Sequence, residues 1–172
     1  MQASVHVRRL LTVGEAEIAG LADVLMDVVD GGASVSFMHP LTRDKALAFW
    51  RGVAKGVDAG ERALVVAEDD LGICGTAQLI LALPENQPHR ADLAKMLVHR
   101  RARRRGIGAA VLNAAEDVAR ELGKTVLVLD TASPDAERLY ERGGWIKVGV
   151  IPDYALMPDG AFCDTIVYYR RL

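Results

Sequence analysis

Cysteine is scarce in this chain: Cys74 and Cys163 are far apart, in the contexts GICGT and AFCDT. Two such cysteines make no disulfide framework and no metal-ligand spacing, so each reads as a small buried hydrophobe. The histidines His6, His39, His89 and His99 have no partners at ligand spacing either, and no metal is expected. Long apolar runs are also missing. None approaches the roughly 18 residues of a membrane helix, and MQASVHVRRLL lacks the apolar stretch of a secretory signal. The expectation is a cytoplasmic protein with no membrane partner. Net charge is nearly absent, since 21 Lys and Arg against 23 Asp and Glu leave -2. That balance lacks the positive field of a general nucleic-acid binder. Internal repeats and low-complexity tracts are absent as well.

What is present suffices for one core. The chain has 172 residues and is 51% apolar, and at roughly 100–200 residues per domain it is expected to form a single domain, residues 1–172. VHVRRL alternates as a half-buried strand does, and Ile18, Leu21, Val24, Leu25 and Val28 recur at helical spacing before Gly31 and Gly32. A second helix starts with Thr42 as its cap, carrying Ala46, Leu47, Phe49, Trp50 and Val53 as its apolar stripe. ALVVAEDDLGICGTAQLILAL reads as a hairpin turning at residues 69–72. PENQPH is a loop, ADLAKMLV a strand, and IGAAVLNAAEDVARELG an amphipathic helix with Val111, Ala115, Val118 and Leu122 on one face. TVLVLD is apolar throughout, as a strand covered on both faces is, so residues 95–130 form one crossover between parallel strands. A short helix in SPDAERLYERGG and two last strands around the turn MPDG complete the chain.

The most informative stretch is RRARRRGIG, residues 100–108, where the ADLAKMLV strand turns into the following helix. A helix N-terminus has backbone N–H groups without internal partners and a partial positive charge, so it binds a phosphate where side chains leave room. Gly106 and Gly108 leave that room, and Arg103 adds charge-assisted bonds. Arg100, Arg101 and Arg104 fit two readings, a solvated surface run or further anion contacts. The spacing matches neither a P-loop nor a dinucleotide fingerprint. Duplex readout is not expected, because no recognition motif or aromatic interleaving accompanies the run.

Arg103-Arg104-Arg105-Gly106-Ile107-Gly108 resembles the Arg/Gln-x-x-Gly-x-Gly/Ala turn of the GNAT superfamily of acetyl-CoA-dependent N-acetyltransferases, and AERLYERGGW is similar to a second segment of that family. GGASVSFM, VAEDD, KMLV, LDT and PDG are similar to segments of its tabtoxin-resistance branch. The resemblance covers essentially the whole chain. It implies an α/β fold with a mixed, mostly antiparallel sheet, one splayed parallel strand pair and flanking helices. It also implies acetyl-CoA as acetyl donor. Its pyrophosphate would lie on the turn at Arg103, Arg104, Arg105, Gly106, Ile107, Gly108 and Ala109, and its pantetheine arm along Met96, Leu97 and Val98. Two departures stand out: Arg100 replaces a frequent proline, and Ser133 stands where an asparagine often contacts pantetheine.

Acyl transfer to an amine needs a neutral nucleophile, a stabilised oxyanion and a proton donor for the departing thiolate. By the resemblance Tyr140 is the donor; the alternative is a core tyrosine packing its ring. Asp130 closes TVLVLD, and the C-terminal ends of parallel strands are where such folds place ligands. It could hold the substrate ammonium and relay its proton, or simply cap a helix or loop. Asp92 is a second candidate carboxylate, expected by period-two alternation on the face of Met96 and Val98; a plain strand-edge charge fits it equally. The expected function is transfer of an acetyl group to an amine or hydroxyl of a small molecule, in toxin or antibiotic detoxification. A protein or peptide N-acetyltransferase and a non-catalytic acetyl-CoA sensor are the alternatives. Acceptor choice is expected to rest on GGASVSFMHP, PENQPH and IPDYALMPDG, in a monomer or homodimer.

Overall fold

A computed structural model describes residues 4–172. The chain runs β1 (His6–Leu10), α1 (Glu15–Asp30), α2 (Arg43–Asp58), β2 (Arg62–Asp69), β3 (Gly72–Ile80), β4 (Arg90–Val98), a short 3-10 turn (Arg100–Ala102), α3 (Ile107–Glu121), β5 (Val126–Thr131), α4 (Pro134–Arg142), β6 (Ile146–Leu156) and β7 (Phe162–Arg171). Local chemistry sets several boundaries. Thr42 caps α2 by accepting from the Lys45 N–H at 3.3 Å. Asp69 accepts from the Leu71 N–H at 3.0 Å inside the β2–β3 turn, as a short acidic side chain does there.

The strands form one seven-stranded sheet in the order β1-β2-β3-β4-β5-β7-β6. Every neighbouring pair is antiparallel except β4 and β5. Alternation along β2 sorts the core: Ala63, Val65 and Ala67 pack on the α3 side, whereas Leu64 and Val66 pack on the side of α1 and α2 with Trp50. Both faces of the central strands are thus covered, and β2 and β3 are accordingly apolar over most of their length.

Two irregularities at the middle of the sheet matter for function. The parallel pairing of β4 with β5 covers only Arg90↔Val126, Ala91↔Leu127 and Asp92↔Val128, after which the strands part. Beyond that point β4 also bulges against β3. Gln78 pairs with Ala94 and Thr76 with Leu97, so β4 spends one residue more than its neighbour, and Lys95 takes φ 48. The bulge reverses the alternation. Leu93 packs with the α3 core but Leu97 with the α1/α2 core, four residues on. Asp92 therefore does not share a face with Met96 and Val98, which pack toward α3; it shares one with Leu97.

Candidate active site

The turn from β4 into α3 is anchored from within by Ala102 and Ile107, both buried, while its arginines point outward. Arg104 and Gly106 adopt left-handed backbone, with φ 60 and 74, and glycine at 106 meets that requirement without a Cβ penalty. Gly106 is also the N-cap residue of α3, and no side chain caps the helix there. Its first N–H groups therefore face outward beside the strand opening. A Cβ at Gly108 would lie 3.4 Å from Leu139, 3.8 Å from Met96 and 3.9 Å from Val98, in the space between α4 and the end of β4. The chain itself tolerates a Cβ there, so packing alone does not require glycine at 108. The charge and donor set of this turn fits a pyrophosphate.

The arginines divide in a way the sequence does not reveal. Arg101 and Arg105 both donate to Asp69, at 2.6 and 2.9 Å, and Arg100 donates to Asp27 through its N–H and Nε at 2.8 and 3.0 Å. These three fasten the turn to the β2–β3 hairpin and to α1. Arg105, expected to be an anion contact, donates through Nη1 to the buried Asp69 carboxylate. The two guanidinium partners hold the Asp69 carboxyl well below the usual range, down to about 2. Arg103 and Arg104 are exposed beside Gly106 and form no such ion pair among the described residues.

Past Asp92 and Val128 β4 has no pairing with β5, and Met96, Leu97 and Val98 border the gap, Leu97 and Val98 still pairing with β3 on the other side while Met96 lies in the bulge. Unpaired strand edges bind amides as an added strand would. Tyr140 closes the α4 side of this gap. Its ring is packed against Trp145 and Tyr168, with centroids 5.7 and 5.9 Å away, and its hydroxyl meets Met96 Sδ at 3.8 Å. Burial, reinforced by Asp130, raises the phenol's pKa, so it holds its proton firmly. Ser133 is the N-cap of α4, its Oγ accepting from the Ala136 N–H at 3.3 Å.

The opposite side of the gap opens into a cleft of about 350 Å³ lined by Ser36, Phe37, Asp130, Tyr154, Leu156 and Thr165, among others. Asp130 is exposed there and accepts a 2.7 Å hydrogen bond from Thr165 Oγ1. Segment 33–39 walls one side because it is stapled across to the β6–β7 turn: Ser34 Oγ donates to the Leu156 carbonyl, and the His39 N–H to the Pro158 carbonyl, each at 3.1 Å. Cys163, expected to be buried, is half-buried and lines this cleft, its thiol 3.4 Å from Ser34 Oγ; Cys74 is buried. Asp92 lies on the Asp130 side of the sheet at the root of the gap, ion-paired with Arg90, and does not line the cleft. The loop 84–89, expected to border the acceptor, lies at the other end of β4 and β5. There the Thr125 N–H and Lys124 Nζ bond the His89 and Pro88 carbonyls.

Lys95 and Thr165 escape the sequence reading, whereas Ser36 lies in GGASVSFMHP, one of the segments expected to choose the acceptor. No signal marks Lys95, because only the bulge turns it toward Ser36, whose Oγ lies 3.0 Å from Lys95 Nζ. Among the described residues no three of His, Cys, Asp and Glu gather as metal ligands would, and no helix is long and apolar enough to cross a membrane.

Residues 33–145 match the family pattern described as the acetyltransferase (GNAT) family. An uncharacterized N-acetyltransferase from the hisH-hisA intergenic region of Azospirillum brasilense is 33% identical over 128 residues, covering 73% of this chain and 74% of that one. Among solved structures, ribosomal-protein-alanine N-acetyltransferase from Brucella melitensis superposes with a TM-score of 0.80 at 21% identity, covering 97% of this chain and 99% of that one. The yncA protein of Salmonella typhimurium, solved with its cofactor acetyl-CoA, gives 0.78 at 20% identity, over 98% and 94% of the two chains.

Proposed function

Because the chain belongs to the acetyltransferase (GNAT) family, and is thus an enzyme of the N-acetyltransferase type, we propose that it moves the acetyl group of acetyl-CoA onto an amine of a small molecule. The acceptor lies in the cleft at Asp130, and the setting that the segment similarities suggest is inactivation of a toxin or antibiotic in the cytoplasm. One observation carries this reading. The gap between β4 and β5 joins an uncapped helix N-terminus at Gly106 and Gly108 on one side to an acidic, walled cleft on the other. A thioester ligand and an amine entering from opposite sides would meet in the gap.

The roles follow from chemistry. The N–H groups of Ile107, Gly108 and Ala109, with Arg103 and Arg104, hold the diphosphate. Met96, Leu97 and Val98 offer backbone groups to the pantetheine amides, and an N–H near Val98 faces the thioester carbonyl where negative charge develops. Asp130 holds the acceptor ammonium and passes its proton to water. The freed amine then attacks the thioester carbon; as the new C–N bond forms and the C–S bond breaks, Tyr140 gives its proton to the thiolate, and the second proton shed by the amide nitrogen restores the phenol through solvent. The staple of Ser34 and His39 onto the β6–β7 turn favours a compact acceptor over an extended peptide, which needs a groove open at both ends.

The test is thiol release from acetyl-CoA against a mixed panel of amines, amino-acid analogues, antibiotics and peptides, with mass spectrometry of the products. Acetylation of small amines supports the reading. Acetylation confined to peptides would transfer it to the peptide class, and tight acetyl-CoA binding with no acceptor at all would leave only a sensor.

A further inference from the structure

Lys95 and Ser36 meet in an unusual way. Both are non-glycine residues in left-handed backbone, at φ 48 and 79, and Lys95 Nζ donates to Ser36 Oγ at 3.0 Å. Side chains with a Cβ seldom occupy that region, and it persists where surrounding structure enforces it, often at ligand sites. On β4 the enforcement is the bulge, a device that re-aims side chains. It turns Lys95 toward α2, where its ammonium sits 5.6 Å from the Phe49 ring centroid, and toward the segment that walls the cleft.

The ammonium arrives there without an opposite charge. Lys95 is half-buried, and among the described residues no carboxylate comes within 4.0 Å of its Nζ. Burial lowers its pKa and Arg62 adds to that; Asp130 acts in the opposite sense from across the gap. A half-buried ammonium whose partners are a hydroxyl and the face of the Phe49 ring lacks a countercharge in the resting protein, and an anion would supply it. An ammonium has three donors, so the bond to Ser36 leaves others for such a partner. The cleft thus presents an anion at Asp130 and, behind its wall at Ser36, a cation at Lys95.

We infer that Lys95 is a specificity-determining residue that pairs with a carboxylate of the acceptor, so that the acceptor bears an acid group as well as the amine held at Asp130. This rests on the acetyl transfer proposed above. Ser36 Oγ orients the ammonium, and the staple of segment 33–39 keeps Ser36 in place.

The experiment compares twenty standard amino acids with their carboxamides and their decarboxylated amines as acceptors, in wild type, Lys95→Met and Lys95→Arg. Wild type is expected to favour the acid over its carboxamide by roughly tenfold or more in kcat/KM, expressed mainly in KM, as loss of a charge-assisted bond requires. In Lys95→Met that ratio falls toward one, and Lys95→Arg retains most of it. Unchanged acetyl-CoA affinity in Lys95→Met confirms that the variant is folded. Equal use of acid and carboxamide by wild type, rejection of every acid, or an undiminished ratio in Lys95→Met overturns the inference. Acetylation of the decarboxylated amines, or of any other small amine in the mixed panel above, leaves the proposed function standing, whereas no acetylation of any compound in either panel defeats both.

Discussion

The Tyr140 hydroxyl makes its only described contact with Met96, at 3.8 Å from the sulfur, across the gap where β4 leaves β5. A thioether is a weak acceptor, so this contact contributes little to folding. The ring is held by Trp145 and Tyr168 instead. Anchorage and chemistry are thus separate within one side chain. Tyr140→Phe is expected to keep the thermal midpoint and the acetyl-CoA dissociation constant while kcat falls by about 10²–10⁴-fold, the usual contribution of a positioned proton donor. Steady-state kinetics beside calorimetry measure both; full activity would make the phenol a core residue only.

Gly108→Ala distinguishes a ligand cradle from a structural glycine. The added methyl would meet Leu139, Met96 and Val98 at ordinary van der Waals distances, and the position is helical. Stability should rise by up to about 1 kcal/mol, as alanine gains over glycine in a helix. Affinity for coenzyme A should nevertheless drop by roughly tenfold, and further with valine, because the methyl occupies the approach to the helix N-terminus. A melting curve and a titration on the same sample test the opposed signs.

Asp69 ties the phosphate turn to the hairpin through Arg101 and Arg105, with only 3% of its side chain exposed. Its folded pKa, about 2, lies below the ordinary carboxylate value of 3.8. The stabilisation is therefore complete above the unfolded pKa and is lost as the pH falls from about 4 toward 2. Asp69→Asn should remove about 1–3 kcal/mol at neutral pH, the cost of unmaking a charged, partly buried bond. It should also flatten that acid limb; urea unfolding between pH 2 and 7 shows whether it does.

How far the sequence discloses this site depends on the range of each interaction. The Thr42 cap, the Asp69 turn and the Gly106–Gly108 turn are written within a few residues, and so are legible. The partners of the arginines are not. Arg100 reaches Asp27 across 73 positions, and Arg101 and Arg105 reach Asp69 across 32 and 36. Nothing local separates these from Arg103 and Arg104. The bulge at Lys95 is equally hidden, because period-two alternation presumes an unbroken ladder and a single extra residue inverts each face after it. That inversion is why Asp92 and Met96 part company, and why Lys95 enters the site unannounced.

The two carboxylates should then differ in effect. Both lie on the acceptor side of the sheet, but Asp130 lines the cleft with Thr165 as its hydrogen-bond partner, whereas Asp92 is ion-paired with Arg90 at the root of the gap. An amide at 130 keeps the size and the Thr165 contact while removing the charge that holds an ammonium. Asp130→Asn is therefore expected to lower kcat/KM for amine acceptors by about 10–100-fold, in keeping with loss of a charged hydrogen bond. Asp92→Asn should stay within about threefold of wild type, since a partly exposed ion pair away from the cleft contributes little. Acetyl-CoA affinity should be indifferent to both, because neither residue is near the helix N-terminus. If Asp92→Asn proved the more damaging, the proton would leave the acceptor through the root of the gap, and the role given to Asp130 would pass to Asp92.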